Sequence, residues 1–204
     1  MPPTKTIEPA AANADRPQRS DARRNRRRVL EAARSSFAED GLDVRVEKVA
    51  ERAGVGVGTV YRHFPTKEDL LQALADDRFA SLAAAAAEGL KDPDPWHGFE
   101  EFMRYSARVM AEDRAVSEAM DQRPEMCGRA AEEADLLAIV AKLLDRAHEA
   151  GALRDDLTAE DVPSLICGLG RATRASDARP TMSWERYLEI ILDGVRRAPA
   201  DPAR

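Results

Sequence analysis

Long apolar runs are missing from this chain of 204 residues. None reaches the length needed to span a bilayer, and the N-terminus has no apolar core of the kind a secretory signal carries. A cytoplasmic protein is therefore expected. Strand signals are missing too, since no alternating β-branched run of strand length occurs. Aromatic residues make up only 5%, while alanine-rich stretches such as 83–87 favour helix, so an all-α fold is the natural reading. Thiols are scarce: Cys127 and Cys167 stand far apart and belong to no C-x-x-C pair. Cys127 reads more readily as a small buried side chain than as a redox switch. His97 and His148 lack a metal-holding spacing, and there is no metal cluster, nucleophile–base motif or phosphate-cradling loop, so neither catalysis nor a cofactor is expected.

What is present is charge, and it is unevenly spread. The net charge of −6 would argue against a nucleic-acid binder if it were uniform. Residues 1–64 carry +4 and residues 65–204 carry −10. A local basic patch, not the total, is what attracts phosphate. The run Arg23, Arg24, Arg26, Arg27, Arg28 supplies a candidate patch, with a solvated helix face as the plainer alternative.

Helical periodicity organises the chain. Residues 1–20 are rich in Pro, Ala and polar groups without periodicity and are expected to form a mobile, disordered arm. A first helix is predicted over 21–40, with Val29, Leu30, Ala33 and Phe37 as its apolar stripe and Gly41 capping its end. A second, over 46–53, puts Val46, Val49, Ala50 and Ala53 on one face. Gly54 breaks it, and a third short helix runs to Phe64, so that 21–65 make one unit. Thr66 with Asp69 three residues on is a capping box for a connecting helix over 66–91, carried by Leu70, Leu71, Leu74, Phe79 and Leu82. Asp92-Pro93-Asp94-Pro95 cannot continue a helix and marks the start of a second unit, 92–204. Five more helices are predicted there, over about 96–112, 114–122, 124–150, 159–176 and 180–197. The fourth of these can start at a Thr158 cap, or nearer Asp161, where the missing N–H of Pro163 costs nothing.

The segment 45–64 carries the chemistry. Two short amphipathic helices joined at a glycine, with Ala50 and Val55 inside the turn, are what a helix-turn-helix requires. Gly54 supplies a left-handed conformation that a β-carbon would penalise. The second helix then turns Val57, Gly58, Thr59, Tyr61, Arg62 and His63 outward, while Val60 and Phe64 point in. Gly58 lets the backbone approach a duplex. The hydroxyls of Thr59 and Tyr61 suit phosphate, and Arg62 suits phosphate or the O6/N7 edge of guanine. His63 and Lys67 are further phosphate donors.

The string Ala53-Gly-Val-Gly-Val-Gly-Thr-Val-Tyr-Arg-His-Phe-Pro-Thr-Lys-Glu-Asp-Leu70 closely resembles the signature of the TetR family of bacterial regulators. Ala32-Ala33 and Phe37-Ala-Glu-Asp-Gly41 in the preceding helix match as well, so the resemblance covers about residues 22–82. The effector half more weakly resembles SbtR-type regulators. The resemblance implies a nine-helix subunit, a homodimer built on the last two helices, and a small-molecule cavity in the C-terminal half. It also implies DNA contacts at Thr59, Tyr61, Arg62, His63 and Lys67. Gly56 departs from the Ser or Thr that often caps the recognition helix, Arg45-Val46 replaces a common Thr pair, and the loop after Gly41 is one residue short. Arg45 can substitute a charge for the lost hydroxyl contact.

The expectation is thus a repressor that reads a roughly palindromic double-stranded operator and is released by an unidentified small molecule. For the cavity, Phe99, Phe102, Met103 and Met110 lie at helix-spaced positions, with core packing as the plainer role. Arg104, Arg108 and Arg171 can pair with an acidic ligand or with surface carboxylates. The competing readings are an all-helical enzyme or carrier for an apolar metabolite, and a DNA-binding dimer without ligand response.

Overall fold

The structure, a computed structural model, describes residues 15–41, 43–112, 117, 124–174 and 182–197, with the side chains of 15–20, 173 and 174 outside the description. Nine helices account for nearly all of it. They are α1 (Asp15–Asp40), α2 (Val46–Ala53), α3 (Val57–His63), α4 (Lys67–Gly89), α5 (Pro95–Glu112), α6 (Pro124–Glu133), α7 (Leu136–Glu149), α8 (Asp161–Arg174) and α9 (Trp184–Val195). No helix among the described residues is long and apolar enough to cross a membrane. Residues 1–14 and most of the predicted helix over 114–122 lie outside the described residues.

Several boundaries depart from the sequence expectation, and the open choice at the start of α8 falls to Asp161. Helix α1 starts at Asp15, so residues 15–20 belong to it and not to the arm. Pro17 falls in the first turn, where its missing N–H costs nothing. The single helix predicted over 124–150 is two. The buried positions 126, 127 and 130 on α6 and 140, 143, 144 and 147 on α7 lie on either side of a turn at 134–135. The chain reorients at Asp135, which adopts φ 52°, ψ 29°. Asp is among the few side chains that tolerate that region. Helix α8 starts at Asp161, whose carboxylate accepts from the Thr158 N–H and hydroxyl, both at 2.8 Å. Helix α9 starts after Ser183, whose hydroxyl accepts from the Arg186 N–H.

The capping box at α4 forms as its sequence implies. Asp69 N–H donates to Thr66 Oγ1 at 3.1 Å and Thr66 N–H donates to Asp69 Oδ2 at 2.9 Å. Two apolar clusters hold the molecule together. One joins α1, α2, α3, the first half of α4 and the inner face of α6, with Val29, Phe37, Val49, Val60, Leu70, Leu74 and Met126 among its buried members. The other gathers α5, α7, α8 and α9 around Phe99, Met103, Leu144, Leu169 and Leu188. Helix α4 runs from the first into the second. Its C-terminal end meets α5 at Gly89 and Gly98, where added β-carbons would press on the opposing backbone. Arg146 secures the same corner by donating to the carbonyls of Leu90, at 2.7 Å, and Asp92.

Candidate nucleic-acid interface

The α2–α3 turn is built from backbone geometry first. Gly54 adopts φ 62°, ψ 41°. Its N–H donates to Glu51 O at 3.0 Å and that of Val55 to Ala50 O at 3.0 Å, the pairing of a Schellman cap. Val60 and Phe64 then anchor α3 in the core, at 0% and 3% exposure. With that inner edge fixed, Gly58 and Arg62 are exposed, Tyr61 is 43% exposed, and Thr59 is half-buried at the margin. Val57 is different: it leans back against the core and offers only part of its surface outward. Gly56, at the start of α3, gives no side-chain cap, as expected where a hydroxyl is missing.

The charged residues divide into those facing outward and those holding the fold. Arg45 precedes α2 and is exposed. Lys67 begins α4 with its ammonium 5.9 Å over the Phe37 ring. Lys48 and Arg52 are taken up along the α1–α2 seam, Lys48 by Asp40 at 2.7 Å and Arg52 by Glu39 at 2.6 Å. The basic run on α1 is not one patch. Arg24 pairs with Asp21 and Arg27 with Glu31, and Arg26 lies 5.3 Å over the Phe64 ring. Arg28 donates to the main-chain carbonyls of Ala53 at 2.5 Å and Gly54 at 3.2 Å. It therefore clamps the helix-turn-helix turn, a role that reading the run as a phosphate patch missed.

His63 reports the potential of this surface. Burial, and then the charges of Arg62 and Arg26, hold its imidazole below the usual range. Its Nε2 is buried without a hydrogen-bond partner, and the ring tilts against Phe64. Arg62 and Arg26 therefore lie close enough together at the end of α3 to act on one group.

A second feature lies behind the interface. An apolar cavity of about 300 Å³ sits between α4, α5, α6, α7 and α8. Of the four residues proposed from sequence, Phe102 and Met110 line it. Phe99 and Met103 do not; both are fully buried in the cluster beneath. Arg104 pairs with Glu100, and Arg108 lies over the Tyr105 ring. The lining also includes Arg78, 2% exposed, which sequence reasoning passed over. Its signal was present: Leu71, Leu74, Ala75, Arg78 and Leu82 share one helical stripe, so the arginine falls in phase with buried positions.

Comparison with known proteins agrees with this geometry. Residues 29–74 match the family model described as bacterial regulatory proteins, tetR family, and residues 94–197 match the C-terminal domain described as transcriptional regulator SbtR-like. The chain is 29% identical to the HTH-type transcriptional repressor KstR of Rhodococcus jostii, over 94% of each chain. It is 28% identical to the repressor AcnR of Corynebacterium diphtheriae, over 84% of this chain and 91% of that one. A TetR transcription regulatory protein from Mycobacterium vanbaalenii superposes with a TM-score of 0.66 at 37% identity, covering 88% of this chain and 99% of the other.

Proposed function

The chain belongs to the TetR family of bacterial regulatory proteins, and from that premise we propose a homodimeric repressor that leaves its operator when a small molecule enters the C-terminal cavity. The family is one of DNA-binding transcriptional regulators, not of enzymes. One observation carries the reading: α4 begins immediately after the exposed face of α3 and, at Arg78, Phe79 and Leu82, forms a wall of the cavity. A ligand that repacks that wall acts on the helix that orients α3. It shifts the population away from the DNA-bound conformation by its differential affinity for the two.

Two copies of α3, about 34 Å apart, would enter successive major grooves of a roughly palindromic site. Thr59, Tyr61, His63 and Lys67 serve phosphate, Arg62 a base edge or phosphate, and Arg45 a flanking phosphate. Support for pairing through α8 and α9 comes from one exposed apolar side chain and two small residues on their outer faces. Ile190 is 48% exposed, and Gly168 and Gly194 face open space that permits close helix approach. The cavity favours a ligand-responsive regulator over a dimer that only binds DNA. The test is selection of duplexes from a random library, followed by anisotropy titration and sedimentation of the complex. One dimer on a two-fold symmetric site is expected. A monomer in solution, or no preference among duplexes, would sink the reading.

A further inference from the structure

We propose that the effector is an uncharged, largely hydrocarbon molecule that enters the cavity whole and binds by filling it. The volume of about 300 Å³ equals about ten waters at ~30 Å³ each, which fits a molecule of roughly ten to fifteen non-hydrogen atoms. This inference rests on the ligand-responsive reading above and names the chemistry that reading left open.

The wall decides the class. It is apolar over nearly all of its surface, with Phe79, Leu82, Phe102, Val140 and Ile166 among its residues. The described polar groups are already engaged. The Ser106 hydroxyl donates to Phe102 O at 2.8 Å. Arg78 donates to Ser117 Oγ at 3.3 Å, contacts Met110 Sδ at 3.1 Å and also borders a second, polar pocket with Asp77 and Glu112, so its guanidinium is met within the protein. Cys127 and Cys167 line the cavity as thiols, and burial pushes that of Cys127 up to about 11, which keeps it uncharged at neutral pH. A polar ligand group would exchange its water for a surface with little left to bond, whereas apolar surface gains by leaving water.

The rim works against charge of either sign. Gly128, Ala131 and Leu137 line both the cavity and an adjoining surface depression whose other walls include Glu132, Asp135 and Glu160. An anion entering there must pass those carboxylates. A cation is drawn to them, yet finds no carboxylate among the described lining residues once inside. Either ion also leaves its hydration shell behind, which in an apolar surround is the larger cost. An uncharged molecule meets neither obstacle. It bears on α4 at Phe79 and Leu82, the helix through which release would be transmitted.

The test compares 2-methylnaphthalene, 2-naphthoate and 2-naphthylmethylamine, which share one ring system, by equilibrium dialysis against the full-length protein, with tetralin as a second uncharged probe. The uncharged probes are expected to bind wild type about tenfold tighter, or more, than the acid or the amine. Val140→Phe and Gly128→Phe place a ring in the cavity from α7 and from α6, and each should weaken that binding. A β-carbon at Gly128 meets nothing within 4 Å, so the second variant keeps the test open if the first fails to fold. Thermal melts establish which variants are folded. Equal or tighter binding of the acid or the amine, undiminished binding in every folded variant, or no binding of either uncharged probe at its solubility limit would overturn the assignment. Cavity binding of an uncharged probe that leaves operator occupancy unchanged at saturation would support the ligand class while refuting the release mechanism. Operator release by a charged molecule alone would do the reverse.

Discussion

Replacing Arg28 by Ala separates two roles that the basic run on α1 can play. The side chain makes two charge-assisted hydrogen bonds to the carbonyls of Ala53 and Gly54, one part-buried and one exposed. Bonds of this kind are worth about 1.5–3 kcal/mol when shielded and well under 1 kcal/mol when solvated, so the loss should be about 1–2 kcal/mol. For a chain of this size that lowers Tm by roughly 2–8 °C, at about 2–4 °C per kcal/mol. Operator affinity should fall as well, because the turn that aims α3 is loosened. The salt dependence should stay the same, since no phosphate contact is lost. Anisotropy titrations at several salt concentrations, set beside melting curves, make the comparison. A protein that keeps its wild-type Tm while the slope of log K against log salt falls by ~0.9 would show Arg28 contacting phosphate, and the clamp argument would be wrong. Arg27→Ala is the control: its partner is Glu31 on the same exposed face, and it should change Tm very little.

Arg62→Ala should weaken operator binding by about 1–3 kcal/mol if the guanidinium reads a base, with relaxed preference at that position; wild-type affinity in a gel-shift titration would remove Arg62 from the interface. In NMR titrations His97 should titrate above the ordinary imidazole range, because its hydrogen bond and charge interaction with Asp92 favour the protonated ring. Its stabilising contribution is present below the ordinary imidazole pKa and is lost as pH rises through the raised value. His63 should titrate below that range in the free protein, and approaching phosphates would raise it, so operator binding should take up protons and weaken as pH rises. The His63→Gln variant should flatten that component of the pH profile. Gly89→Ala would put a β-carbon 2.6 Å from the Gly98 carbonyl oxygen and should cost about 1–3 kcal/mol in a urea melt; unchanged stability would mean the α4–α5 corner yields freely.

By itself the sequence determined the all-helical class, the α2–α3 turn at Gly54, the cap at Thr66 and, Val57 apart, the outward face of α3. Each depends on neighbours within four or five residues, where periodicity and turn chemistry are nearly complete descriptions. It also carried the family, because an ordered string from Ala53 to Leu70 is too specific to arise from packing alone. Tertiary structure decided the rest. Arg28 looked like a phosphate ligand until α1 crossed α2 and brought the Ala53 carbonyl within reach. No glycine or proline marks the break at Asp135, where the backbone turns left-handed. Phe99 and Met103 went to the core while Phe102 and Met110 lined the cavity, although all four lie on one helix. Which side of that helix meets a void depends on the distance to α7 and α8, and that distance is a property of the assembled molecule, not of any stretch of chain.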